Sequence, residues 1–143
     1  MYAYLYVECA KLGIDVIGES QLVGYLSQFP SVSMMNYNTS EPNARYWTLK
    51  LLLDNFGLGD KLAETKNTVN TYSVQAFLTA KGNKLLVLNK RNRVQEVTLP
   101  PDASGSNVQF VAPSTGDHRP DSVKLSGRLL KLQPFEVAVV TYK

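Results

Sequence analysis

The sequence holds a single cysteine, Cys9, and a single histidine, His118, so the residue types that most often build metal and nucleophilic centres are nearly absent. One thiol excludes an internal disulfide and any multi-cysteine metal site. One imidazole excludes a two-histidine metal site, and a Ser/His/Asp triad would hang on one residue of the polar loop STGDHRPD, where His118 reads as solvated. Cys9 falls within an apolar helical stretch and reads as a packed structural thiol. No run of about 18 apolar residues occurs, so no membrane-spanning helix is expected. The opening MYAYLYVECAKLGIDVIG lacks the basic first segment and small-residue cleavage site of a signal peptide. A Gly-rich phosphate loop, a recognition helix and an aromatic RNA-binding signature are also missing, and no cofactor is indicated.

What is present is an ordinary globular composition: 143 residues, about one domain's length, with 44% hydrophobic content that can furnish a core. The net charge is +3, and Lys84, Lys90, Arg91 and Arg93 lie close together in the sequence. They flank an expected hairpin and the turn after it, where cations are commonly solvated, so a nucleic-acid partner is not indicated.

The chain is organised around Glu41–Asp60, EPNARYWTLKLLLDNFGLGD. Pro42 suits an opening turn, Ser40 or Asn43 can cap the free N–H groups, and Gly57 and Gly59 supply stops, so one helix is expected here. Trp47, Leu49, Leu51, Leu52, Leu53 and Phe56 cover more than a narrow stripe, which predicts a largely buried helix with Arg45, Lys50 and Asp54 toward water. Upstream, Met1–Lys11 carries Tyr2, Leu5, Tyr6 and Cys9 at helical spacing and ends at Gly13. Ile14–Val23 is mostly apolar and then turns polar at Glu19, Ser20 and Gln21, the pattern of a buried parallel strand whose end opens onto a site.

Downstream of Gly59 the apolar period becomes two. Tyr72–Ala80 and Lys84–Asn89 form an expected hairpin around Lys81, Gly82 and Asn83. Val94–Leu99, Val108–Ala112, Val123–Leu125, Arg128–Leu132 and Phe135–Tyr142 complete a set of short strands at steps of about ten residues, which argues for an antiparallel sandwich. The fold class expected is thus mainly β with an α/β N-terminal segment, divided into 1–59 and 60–143.

The strings AKLGIDVIGESQLVGY, QFPSVSMMNYNTSEPNARYWTLKLLLDNFGLGD and KLQPFEVAVVTY resemble the C-terminal part of retaining glycoside hydrolases, arabinofuranosidase-like and xylosidase-like, that join a (β/α)₈ barrel to an antiparallel β-sandwich. The ending carries the L-x-P-x-x-V character at Leu132–Val137. The resemblance implies that residues 1–59 hold the final βα unit of the barrel, with Ile14–Leu22 as the eighth strand and its C-terminal end at the sugar site. It then implies substrate contacts from Glu19, Ser20, Gln21 and Tyr25, with Gln21 bonding a sugar hydroxyl and Tyr25 stacking; the plainer alternative is that Glu19–Gln21 cap a strand end. It implies a secreted or extracellular setting, with a carbohydrate and the rest of a barrel as partners, or self-association through exposed α/β edges. Neither nucleic acid nor membrane is expected as a partner.

Retaining glycosidases need two carboxyl groups about 5–5.5 Å apart. The resemblance places both on barrel strands that would precede Met1, and Glu8, Asp15, Glu41 and Asp54 show no spacing that puts two of them in one pocket. No catalytic residue is therefore nominated, and the expected role is a glycosidase fragment inactive alone. The alternative is a non-catalytic carbohydrate-binding or structural module, which would need a row of exposed aromatics among Tyr72, Phe77, Phe110, Phe135 and Tyr142.

Overall fold

The computed structural model describes residues 1–19, 22–23, 33–67 and 69–142. Its centre is a pair of strands that are apolar on both sides. In chain order the elements are α1 (Tyr2–Lys11), α2 (Ala44–Asn55), β1 (Lys61–Ala63), β2 (Tyr72–Thr79), β3 (Gly82–Asn89), β4 (Gln95–Thr98), β5 (Asn107–Val111), β6 (Asp121–Lys124), β7 (Leu129–Leu132) and β8 (Val137–Tyr142), with a 3₁₀ turn at Pro101–Ala103. Six strands pair in the order β1-β2-β3-β8-β5-β6, and β4 pairs with β7 in a second sheet. Every ladder is antiparallel. Among the described residues the chain is therefore mainly antiparallel sheet with two helices, as its patterns predict.

The runs Leu85–Leu88 and Val137–Val140 lack the alternation of a strand with one wet face, and both faces are indeed covered. Leu85, Val87, Ala138 and Val140 point into the sandwich interior with Val97, Leu99, Leu130 and Leu132. Leu86, Leu88 and Val139 point the other way, onto Ala3 and Val7 of α1 and Leu51 and Leu52 of α2. The six-stranded sheet is thus the middle of three layers. Seven of the eight strands among the described residues overlap expected ones, β6 starting two residues earlier than its pattern predicts, and β1, three residues long and poorly patterned, is the one that sequence reasoning misses.

The hairpin is tighter than expected. Thr79 pairs with Gly82, so only Ala80 and Lys81 lie between the strands. Gly82 adopts φ +113°, and a Cβ there would meet the Tyr142 carbonyl at 3.2 Å, so two independent constraints demand glycine.

α1 ends as Gly13 foretells. With φ +71° at Gly13, its N–H donates to the Ala10 carbonyl and the Ile14 N–H donates to the Cys9 carbonyl, the paired bonds of a Schellman end. α2 is shorter than Glu41–Asp60. Asn43 is the cap, its side-chain oxygen accepting from the Arg45 and Tyr46 N–H groups, while Pro42 bridges Met35 ahead of the helix. The helix stops at Phe56, which turns extended before either glycine.

Three expectations need correction. α2 is buried along one face only, since Leu53 is 74% exposed. Its other apolar side bounds a groove instead of a core. Residues 14–19 form no strand, and Val16 is 83% exposed; the described part of the expected strand has only the parallel bridge between Val23 and Met35. An apolar run becomes a buried parallel strand only between flanking strands, and among the described residues none flanks it. Trp47, expected among the buried residues of this helix, is only half-buried and docks on the loop after β5. Its Nε1–H donates to the Asp117 carbonyl at 3.0 Å, and the Arg119 guanidinium lies 5.9 Å from its ring.

The L-x-P-x-x-V ending forms an arch that carries the chain from the small sheet to the large one. Asn89, buried, donates to the carbonyls of Arg93 and Gln133, both at 2.7 Å. Glu136, also buried, accepts from the Gln133 N–H at 2.8 Å. Burial raises the Glu136 carboxyl above its ordinary value, and that one hydrogen bond only partly opposes the shift.

Two predictions follow from these layers. Leu86→Ala, which empties a fully buried position, is expected to cost about 2–5 kcal/mol, whereas Leu53→Ala should cost less than about 0.5 kcal/mol. Urea titrations showing equal losses would contradict the layer assignment. For Glu136, a raised folded value means that its stabilising contribution is present below the unfolded value near 4.5 and is lost as pH rises through the folded value. Glu136→Gln keeps the acceptor without the charge, so it should be at least as stable as wild type at pH 7, with its advantage shrinking as the pH falls to about 4.5. A loss above about 1 kcal/mol at pH 7 would refute this.

Candidate functional site

An apolar groove of about 830 Å³ lies between α1, α2 and the segment after α1. Helical spacing places Tyr2, Leu5 and Tyr6 of α1 along one wall and Leu49, Leu52 and Leu53 of α2 along the other. Ile14, Ile17 and Leu22 close one side. The floor is aromatic: the Phe56 and Phe77 rings lie 4.2 Å apart, and Tyr6 sits 6.0 Å from Phe56 and 6.3 Å from Phe77. Such clusters add about 0.5–1.5 kcal/mol per pair beyond the area they bury.

Polar groups sit at the rim. Asp15, Glu19, Lys50 and Asp60 line the groove, and Lys50 is ion-paired with Asp54 one turn on. The Tyr2 hydroxyl donates to Glu19 Oε1 at 3.4 Å, tying the segment after α1 back to the helix. Partial burial raises the Tyr2 phenol above its ordinary value, and the Glu19 carboxylate pushes it the same way against the opposing Arg45. The Tyr6 phenol is raised chiefly by burial and further by Asp60. Both keep their protons at neutral pH, and Tyr2 uses its own to donate to Glu19.

Behind the groove lies a polar chain inside the helix–sheet layer. Lys84, only 4% exposed, points Nζ at Asn55 Oδ1, 2.7 Å away, and Asn55 Nδ2 donates to the Leu51 carbonyl and to Gln109 Oε1. Desolvation lowers the Lys84 ammonium from its ordinary value, Lys81 repels it further, and Asp60 partly restores it. Lys84 is thus no part of the surface cluster that the sequence groups with Lys90, Arg91 and Arg93. Its even position on β3 turns it toward α2, and nothing in the local sequence names Asn55 and Gln109 as partners.

Of the predicted contact residues, Glu19 stands exposed at the groove rim, while Ser20, Gln21 and Tyr25 lie outside the described residues. Cys9 is half-buried and His118 is exposed. Among the described residues no group of three or more His, Cys, Asp or Glu could hold a metal ion, and no helix is long and apolar enough to cross a membrane. What the groove offers is a broad apolar contact surface with a polar margin.

Asn55→Leu removes the acceptor of a buried ammonium and is expected to cost about 3 kcal/mol, with more than half regained when Lys84→Met is added. A double-mutant cycle by urea unfolding measures this, and a single-variant loss below about 1 kcal/mol would show that water replaces Asn55.

No family model and no curated protein sequence matches the chain. A solved structure does: a GH30 endoxylanase from Clostridium papyrosolvens C71, at TM-score 0.56 and 11% identity over 76% of this chain. The chain spans 30% of that protein's length. The likeness is one of fold, to part of a glycoside hydrolase, and does not single out an arabinofuranosidase or xylosidase type.

Proposed function

We propose that this chain is the non-catalytic supporting part of a glycoside hydrolase acting on plant-type polysaccharide. The observation that carries the reading is the groove itself. Leu53, Ile14, Ile17 and Leu22 stand exposed around it, a contiguous apolar surface of the kind that marks an interaction site. The fold likeness to part of an endoxylanase supports a partner of one kind, the remaining β/α elements of a barrel. With strands supplied beside them, residues 14–19 gain the ladder they lack. The two catalytic carboxylates then come from those elements. In the chain itself Glu19 accepts a hydrogen bond from the Tyr2 phenol, which ties the segment after α1 to the helix.

On this reading Glu19, Ser20, Gln21 and Tyr25 contribute substrate contacts once the barrel is complete. The rival module reading needs several exposed aromatics. Phe77 is buried, and Tyr72, Phe110 and Tyr142 pack against the sandwich core, which leaves Phe135.

The test joins activity to association. The purified chain should hydrolyse neither xylan nor aryl xylosides and arabinosides, while a longer polypeptide carrying barrel elements upstream should do so. Alone, it should self-associate in sedimentation velocity, and Ile17→Glu with Leu53→Glu should abolish this. A stable monomer at all concentrations, or hydrolysis by the short chain, would overturn the proposal.

A further inference from the structure

A second surface, formed by the arch before β8 and the turn after β3, carries its own chemistry. Phe135 has φ +56°, left-handed backbone that glycine or asparagine adopts at lower cost than an aromatic residue. Its ring does not offset that cost by burial, because Phe135 is 58% exposed. The backbone beneath is rigidly held. The Phe135 N–H donates to the Arg91 carbonyl at 3.1 Å, the Arg91 N–H donates to Asn89 Oδ1 at 2.9 Å, and the Lys90 N–H donates to the Thr71 carbonyl at 3.0 Å. The buried Asn89 amide clamps Arg93 to Gln133, and the buried Glu136 carboxylate closes the arch. Pro134 and Phe135 are the central residues of a turn closed by the Glu136 N–H donating to the Gln133 carbonyl at 3.2 Å, so the turn holds the exposed ring outward on a braced support.

Beside it stand exposed Lys90, Arg91 and Arg93. Lys90 Nζ lies over the Tyr4 ring at 5.7 Å, and among the described residues none of the three cations joins an ion pair. An aromatic face takes the C–H face of a sugar ring, and guanidinium groups take carboxylates in a fork geometry. We infer that Phe135 with Arg91 and Arg93 forms a binding site for a uronic-acid-bearing glycan. The choice of a glycan over another polyanion rests on the glycoside hydrolase reading, but the site needs no barrel and acts in the chain alone.

The test is affinity electrophoresis and calorimetry of the whole chain with polygalacturonate, unsubstituted xylan and oligothymidylate as probes. Polygalacturonate should bind at least ten-fold more tightly than either of the others. Phe135→Asn should lower that affinity at least ten-fold while leaving Tm unchanged or raised, a combination that a purely structural turn would not show. Arg91→Gln with Arg93→Gln should lower it similarly. Absence of polygalacturonate binding, equal binding of oligothymidylate, or full binding by Phe135→Asn would each overturn the site. Binding is read without hydrolysis or self-association, so its failure and that of the docking proposal are separable.

Discussion

Two central strands that must hide both faces dictate the rest of this structure. Leu85–Leu88 of β3 and Val137–Val140 of β8 can leave water only if something covers each side of the sheet. The β4–β7 sheet covers one side, and α1 with α2 covers the other. That requirement uses up the inner faces of both helices on the sheet. Their outer faces, with the run after α1, are left as the walls of the groove.

This explains which parts were legible from sequence. Period-two runs such as Tyr72–Thr79 and Leu129–Leu132 announce strands because local patterning and burial agree. Gly13 and Asn43 announce helix ends because capping is local chemistry. Ile14–Val23 misleads because its apolar character states a need for flanking strands, and a sequence window cannot show whether they are present. The breadth of apolar positions on α2 misleads for a related reason: Leu53 and Leu52 are alike in sequence, yet one faces the groove opening and the other the core. Of the candidate site, the polar end at Glu19 was visible, but the Tyr2 hydroxyl beside it and the Lys84–Asn55–Gln109 chain were not. Such pairings form between residues far apart in the chain and have no spacing rule.

The polar elements of the interior serve placement. Lys84, Asn55 and Gln109 hold α2 over β3 and β5 at one register, since sliding would strand a buried ammonium. Asn89 and Glu136 do the same for the arch between the sheets. The L-x-P-x-x-V ending is thus accounted for by turn geometry: Glu136 closes the arch, and Phe135 is thrust outward by it. The same architecture presents two surfaces of opposite kind, an apolar groove and a cationic aromatic platform.

The most direct test of the groove as a docking face is amide hydrogen exchange on this chain alone and within a longer polypeptide carrying the upstream barrel elements. The account predicts that α1 and residues 14–19 gain protection in the longer polypeptide, while β3 and β8 exchange slowly in both. Unchanged exchange along α1 and residues 14–19 would mean that the barrel does not seat on the groove, and the supporting role proposed for the chain would fall.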